Sequence, residues 1–254
     1  MAIIGGYQRP ATMEAALACL ARADVVLLGG GTKLNAAAAP GPVEVVDLQA
    51  LGLDQIGSRD GGTAVIGATV TLGRLAGSVI VPGVIREAAR REQPSTLRAQ
   101  ATVGGCVATG DPESELLAAL LAHGAVVRVA GPGRAPELTL QQLLSELPLP
   151  AGAIITAVTI DTGGRSSAAR TGRTPADRPI VAAVARVTAD GRARVALTGV
   201  AATPVLIEGP ALPDGAALTD GAGRLDPPGD FRGSGEYRRA LAAILTARAL
   251  DAIS

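Results

Sequence analysis

Apolar and polar positions alternate along this chain in short blocks, and the block lengths predict a mixed α and β protein. Thr12–Ala23 carries Ala15, Leu17 and Leu20 at helical spacing, so it reads as an amphipathic helix. The apolar run Asp24–Leu28 is then a short buried strand, and Gly29–Thr32 is its turn. Val43–Leu48 is the next strand, after the small-residue segment Ala36–Ala39 and a loop at Pro40-Gly41-Pro42. This opening looks like a small βα unit, not a long crossover.

Asp60-Gly61-Gly62 signals a hairpin between strand candidates Leu53–Ser58 and Thr63–Val70. Thr71 is placed to cap a short helix reaching Ser78, and Pro82–Arg91 reads as another helix before the polar stretch Glu92–Gln100. Next comes Thr102–Gly124, TVGGCVATGDPESELLAALLAHG, read as a glycine pair in a tight turn, a loop and a helix. Asp111 is placed to cap that helix, Pro112 suits its first turn, and Gly124 its end. A strand at Ala125–Ala130, a Gly-Pro-Gly-Arg loop, a helix over Leu138–Leu147 and a β run over Ala153–Ile160 follow.

Between Asp161 and Pro179 the chain turns to Gly, Ser, Thr, Arg and Pro, the pattern of a domain boundary or a ligand-covering loop. Strands Ile180–Thr188 and Ala193–Ala201 then pair through Asp190-Gly191. A Pro/Gly-rich stretch, Ile207–Gly235, precedes a last helix, Glu236–Leu250, with Tyr237, Leu241, Ile244 and Leu245 on one face. There is no internal repeat.

Composition narrows the function. The 254 residues can bury a sizeable core, and 48% are apolar against 1% aromatic, so the core packs from small aliphatics. Basic and acidic residues number 23 each, which argues against a nucleic-acid or anionic-membrane binder. No apolar run reaches the roughly 18–20 residues of a membrane helix, and no signal sequence is evident, so the chain reads as soluble and cytoplasmic. Cys19 and Cys106 fit no metal or disulfide spacing. His123 is the only histidine and falls in the last helical turn before Gly124, where a cation suits the helix dipole. Without a histidine partner or a Gly-x-Ser-x-Gly elbow, hydrolase chemistry is excluded.

What remains are the two glycine turns, LLGGGTKL at Leu27–Leu34 and the one at Gly104–Gly105. Each places backbone N–H groups where an anion could sit, and the first holds Lys33, the only lysine. Each alone is a common structural device. Together they suggest a dinucleotide whose pyrophosphate is held by backbone amides, which needs few charges.

The ordered set LLGGGTKL, TAVIGATVTLGRLA, STLRAQATVGGCVATGDPESELLAALLAHGA, PAGAIITAVTID, ARTGRTPADRPIVAAVARV and GSGEYRRALAAILTARAL resembles the FAD-binding (medium) subunit of the molybdenum hydroxylases. That group includes the carbon monoxide dehydrogenase and xanthine dehydrogenase flavoproteins. The resemblance implies an α+β fold: a two-part FAD-binding α/β domain of the vanillyl-alcohol-oxidase/PCMH kind, then a smaller domain with a three-stranded antiparallel sheet and helices. It places the FAD-binding domain at residues 1–162, with subdomains at about 1–56 and 57–162, and the C-terminal domain at 163–254.

By position, the resemblance puts Gly29, Gly30, Gly31, Thr32, Lys33 and Leu34 along the pyrophosphate. Thr102, Val103, Gly104, Gly105 and Cys106 form the second phosphate turn, next to the flavin. Glu115 stands where the family has an aspartate touching the cofactor, Ile155 matches an aliphatic near the flavin ring, and Arg170 falls where relatives carry a lysine close to it. As residues alone, Glu115 suits a helix dipole, and Arg170 and Arg173 are solvated loop charges that Asp177 can anchor. Cys106 replaces the family's usual asparagine, and Arg98-Ala99-Gln100-Ala101 replaces its Arg-Asn-x-Gly. The implied function is an FAD-binding electron-transfer subunit working with a small iron–sulfur subunit and a large molybdopterin subunit, in a heterotrimer that can dimerise. No residue is assigned as a catalytic acid or base. Two rivals on the same fold are a stand-alone FAD-dependent oxidoreductase and a non-enzymatic assembly subunit that has lost FAD.

Overall fold

In the computed structural model, residues 3–21, 25–33, 42–59, 61–132, 136–172, 174, 177–210 and 215–253 are described. Residues 22–24 and 34–41 (with Leu34, the expected segment Ala36–Ala39 and Pro40-Gly41), Asp60, Arg173 and the second half of the Gly-Pro-Gly-Arg loop lie outside the described residues.

The chain opens with β1 (Ile3–Gln8), α1 (Met13–Leu20), β2 (Val25–Leu28) and β3 (Pro42–Asp47). These strands form a parallel sheet of order β1-β3-β2. Thr12 caps α1 by accepting from Ala15 N at 3.2 Å, and Ala16 and Leu20 bury against Val46, Leu48 and Ile154. β1 was not foreseen: its sequence, IIGGYQ, has adjacent glycines and no alternation, and it runs along an exposed edge.

A short 3-10 turn (Leu48–Leu51) leads to β4 (Ile56–Arg59) and β5 (Thr63–Gly67), joined by the predicted hairpin with Gly61 and Gly62 at φ of 82° and 74°. Then come α2 (Leu72–Gly77), α3 (Gly83–Glu92), α4 (Ser95–Arg98), α5 (Val103–Thr109) and α6 (Glu115–Ala122). Thr71 caps α2 as predicted. β6 (Val126–Ala130), β7 (Glu137–Thr139), α7 (Leu140–Ser145) and β8 (Ile154–Asp161) complete an antiparallel sheet of order β4-β5-β8-β6-β7.

Helix α6 is the hub of the molecule. All eight of its residues are buried, because it lies between α3 and α5 on one side and the last sheet on the other. Its cap is Ser114, whose Oγ accepts from Leu117 N at 3.0 Å, and not Asp111 as predicted. Asp111 instead folds back on Glu113 N at 3.0 Å and pairs with Arg178 at 2.8 Å. Gly124 ends the helix at φ 62°, as foreseen.

His123 sits where predicted but is not a cation. Burial pushes its pKa down to about 4, and Nδ1 lies 2.8 Å from the Asp161 carbonyl, which only a protonated Nδ1 can serve as donor. The neutral ring therefore ties the end of α6 to β8.

The last part comprises β9 (Arg165–Thr171), β10 (Val181–Val187), β11 (Ala193–Thr198), β12 (Val205–Gly209), α8 (Ala216–Gly223) and α9 (Gly235–Asp251). The antiparallel sheet expected here is present, with order β12-β11-β10-β9 and therefore four strands, not three. The polar stretch read as a loop or boundary contributes the edge strand β9, and α8 occupies part of the Pro/Gly-rich stretch. Helices α8 and α9 cover one face of this sheet, while Val184 and Ala196 on the other face join the α6 core.

Candidate functional site

The first glycine turn leaves the parallel sheet at the carboxyl end of β2, the end at which open α/β sheets place ligands. Gly29 and Gly30 are required there by close approach. A Cβ on Gly30 would fall 1.8 Å from the Gln100 carbonyl oxygen, and one on Gly29 would fall 2.9 Å from Thr102 Oγ1. Gly31 has φ 74°. The turn thus lies backbone to backbone on the segment before α5, and the two glycine motifs meet as anticipated. The N–H groups of Gly30 and Gly31 donate to nothing among the described residues. Behind the turn, buried Asp47 accepts from Tyr7 Oη and from Gln49 N at 2.9 Å, while Gln49 Nε2 donates to Gly29 O at 3.4 Å.

The second glycine pair differs from its prediction. It is the first turn of helix α5, not a tight turn with bare amides. Val103 N donates to Val70 O at 3.0 Å, Gly104 N to Ala68 O at 2.8 Å, and Gly105 N to the capping Thr102 Oγ1 at 3.2 Å. Gly104 is needed because a Cβ would sit 2.8 Å from that of Ala68. This motif therefore packs α5 tightly on the strand end, and so brings Thr102 and Cys106 to the crevice.

Three connected spaces open where the motifs meet, and Gly29 and Thr102 line all of them. The first, of about 630 Å³, is bounded by Tyr7, Arg9, Arg74 and Gln100 together with Gly30 and Gly31. The second, of about 200 Å³, lies between Thr32, Lys33, Glu92, Cys106 and Asp111. The third is an apolar slot of about 110 Å³ walled by Leu27, Leu48, Ala108, Leu149, Ala153 and Ile155.

These walls fit FAD by three observations. Two free amides and Lys33 flank the glycine turn, as an anionic pyrophosphate requires. The slot is apolar and narrow, as a flat ring requires. Thr69, only 7% exposed, lines both the large space and the slot, and its Oγ1 has no hydrogen-bond partner among the described residues. A buried hydroxyl left unpaired in this way calls for a ligand atom.

The remaining anticipated residues divide. Thr32, Lys33, Cys106 and Ile155 line the crevice. Burial and the neighbouring Glu92 carboxyl push the Cys106 thiol well up, so it is an uncharged wall. Val103 is fully buried in the core beneath. Glu115 and Arg170 are engaged with each other, Nε to Oε1 at 3.0 Å, and neither lines these spaces. Burial raises the Glu115 carboxyl, against the opposing pull of Arg170. Leu34 lies outside the described residues. Among the wall residues that were not anticipated are Thr69, Tyr7 and Glu92. Thr69 and Tyr7 carry no sequence signal, whereas Glu92 was visible only as a polar position after a helix. Among the described residues, no group of three His, Cys, Asp or Glu could hold a metal ion, and no helix is long and apolar enough to cross a membrane.

Comparison with known proteins agrees with this geometry. Residues 3–161 match the family described as "FAD binding domain in molybdopterin dehydrogenase". The chain is 32% identical over 203 residues to the uncharacterized protein YgfM of Escherichia coli, covering 78% of this chain and 76% of that one. It is 30% identical over 221 residues to the carbon monoxide dehydrogenase medium chain of Afipia carboxidovorans, covering 80% and 76%. The solved structure of reconstituted CO dehydrogenase from Oligotropha carboxidovorans superposes with a TM-score of 0.87 at 28% identity, covering 100% of this chain and 98% of that one. Quinoline 2-oxidoreductase from Pseudomonas putida 86, at 22% identity and a TM-score of 0.84 over 100% and 97% of the two chains, shares the fold. This chain belongs to the FAD-binding flavoprotein family of the molybdopterin dehydrogenases, oxidoreductases in which its cofactor is FAD.

Proposed function

We propose that this chain is the FAD-bearing electron-transfer subunit of a molybdopterin-dependent hydroxylase, working in the cytoplasm beside a small iron–sulfur subunit and a large molybdopterin subunit. The observation that carries the reading is the crevice in which an amide-rich glycine turn, an apolar slot and an unpaired Thr69 hydroxyl converge. The match to a carbon monoxide dehydrogenase medium chain supports it further. Gly29–Lys33 and Leu34 are proposed to hold the pyrophosphate, with the Thr102–Cys106 stretch as the opposite wall and Ile155 against a ring. Glu115 and Arg170 act one layer out, holding the C-terminal domain against α6. Residues 1–162 form the cofactor domain in this reading, and 163–254 the second domain.

The bound flavin supplies the redox chemistry, since it can exchange electrons singly or in pairs. The chain's own residues bind it, orient it and keep water from the slot. No side chain here is assigned a proton-transfer step in the oxidation of substrate. The test is to add FAD to the purified chain, remove the excess by gel filtration and record the visible spectrum. Retained stoichiometric flavin is the expected result. An apoprotein that releases all flavin, alone and after mixing with its iron–sulfur and molybdopterin partners, would overturn the reading.

A further inference from the structure

We propose that Glu92 makes cofactor binding proton-coupled: the pyrophosphate is held only when this carboxyl is protonated, so toward pH 8 each FAD bound brings about one proton with it. The inference rests on the cofactor reading above.

Glu92 is the last residue of α3, and its carboxyl turns inward. Oε2 accepts from Leu116 N in the first turn of α6 at 3.2 Å, and the Ser114 hydroxyl bonds it as well. The same residue lines the 200 Å³ space with Gly29, Gly30, Gly31, Thr32 and Lys33. A carboxylate here would therefore share a small, partly dry space with the dianion that the glycine turn is shaped to hold. Like charges so placed disfavour each other, and one must take up a proton.

Among the described residues, the arginines near Glu92 are already engaged and do not relieve this conflict. Arg178, which faces Glu92 from the C-terminal domain, is already paired with Asp111 at 2.8 Å and Glu113 at 3.8 Å. Arg91, on α3 itself, is paired with Glu87 at 2.9 Å. Arg90 is likewise paired with Glu87, and Arg98 of α4 donates to the Arg90 carbonyl. Lys33, on the glycine turn, lines the same space as Glu92, so a carboxylate would compete with the phosphates for it. The other groups facing Glu92 are the Cys106 thiol of α5, Asp111 before α6 and Asp177 of the C-terminal domain. The Cys106 thiol is pushed far up and so stays neutral across the working range. Burial, outweighing the hydrogen bonds from Leu116 N–H and Ser114 and the pull of Arg178, already raises Glu92 to about 7 in the free protein. The group is thus poised where binding can tip it.

The test is FAD titration of the whole chain by calorimetry, from pH 6 to pH 8, in two buffers of different ionisation enthalpy. The dissociation constant should be level near pH 6 and rise about fivefold from pH 7 to pH 8, with proton uptake approaching one per FAD. Glu92→Gln keeps an acceptor for Leu116 N–H and should bind with a level profile and no proton uptake. FAD binding with a level profile in the unsubstituted chain, or with the same slope in Glu92→Gln, would overturn this inference and leave the cofactor reading standing. Absence of FAD binding at every pH, for the chain alone and after mixing with its iron–sulfur and molybdopterin partners, would overturn both. Should Glu92→Gln fail to fold, the proton count on the unsubstituted chain still decides.

Discussion

Thr69→Val should move two measurable quantities in opposite directions, which makes it the sharpest probe of the crevice. Thr69 follows β5, is 7% exposed, and has an Oγ1 without a hydrogen-bond partner. Valine has the same shape and replaces that hydroxyl by a methyl group. In the cofactor-free chain the change removes an unsatisfied buried polar atom, a defect that costs about 1–3 kcal/mol. The free variant should therefore be more stable, with Tm raised by about 2–4 °C per kcal/mol recovered in a chain of this size. In the FAD complex the same change removes a hydrogen bond worth about 0.5–1.5 kcal/mol, which weakens binding roughly 2- to 12-fold. Thermal unfolding with and without FAD, together with a fluorescence titration, gives both numbers from one preparation. A free variant that is less stable than the parent would mean the hydroxyl is already satisfied. Unchanged FAD affinity would mean that it does not face the cofactor. Either result refutes the argument that the crevice is completed by a ligand.

Gly30→Ala would drive a methyl group to 1.8 Å from Gln100 O, so the two motifs must part by about 1.5 Å to reach contact distance. Flavin affinity should fall at least about tenfold while circular dichroism stays native, because such a shift spoils alignment more than folding. Arg170→Met leaves the buried Glu115 carboxyl with only Arg91, at 3.9 Å, as a cation partner among the described residues and should destabilise the chain by about 3 kcal/mol, read by urea unfolding. The Glu115 pKa is raised in the fold, so this loss should be larger at pH 8 than at pH 5. His123 is held neutral, with its pKa lowered from 6.5 to about 4, so its contribution is present above pH 6.5 and lost as pH falls toward 4. That loss is on the order of 3 kcal/mol, and it should vanish in His123→Gln. It is best measured in the Glu92→Gln background, because Glu92, raised to about 7, stabilises the fold in the opposite sense over the same range.

Periodicity in the sequence made the buried elements legible. ELLAALLA, IITAVTID and VAAVARV are dense in aliphatics, and all three lie in the core. The strands that escaped notice are at edges. RSSAART of β9 and IIGGYQ of β1 are held by ladder partners on one side, so neither needs an apolar alternation of its own. At the site, both glycine motifs were visible, but their division of labour was not. The amide of Gly104 is satisfied by Ala68 O, from a strand end distant in sequence, and no local pattern announces that bond. Asp111 looked like a cap because it precedes Pro112, but Ser114 stands one residue before the first helical position and takes the role.

The charge balance of the chain acquires a structural meaning at the segment between α5 and α6. Asp111, Glu113 and Glu115 pair with Arg178, Arg232 and Arg170, all three from the C-terminal domain. Pro112 O accepts from Gly199 N at 2.8 Å in the same place. Arginines that could have made a basic surface are instead committed to holding one short acidic segment. Ion pairs of this kind add little net stability but fix geometry, because breaking one strands its partner. Asp111 on that segment also lines the crevice, beside Lys33 and Cys106. Through these contacts the second domain meets the crevice where α6 begins, and Leu116 N–H in the first turn of α6 holds the Glu92 carboxyl.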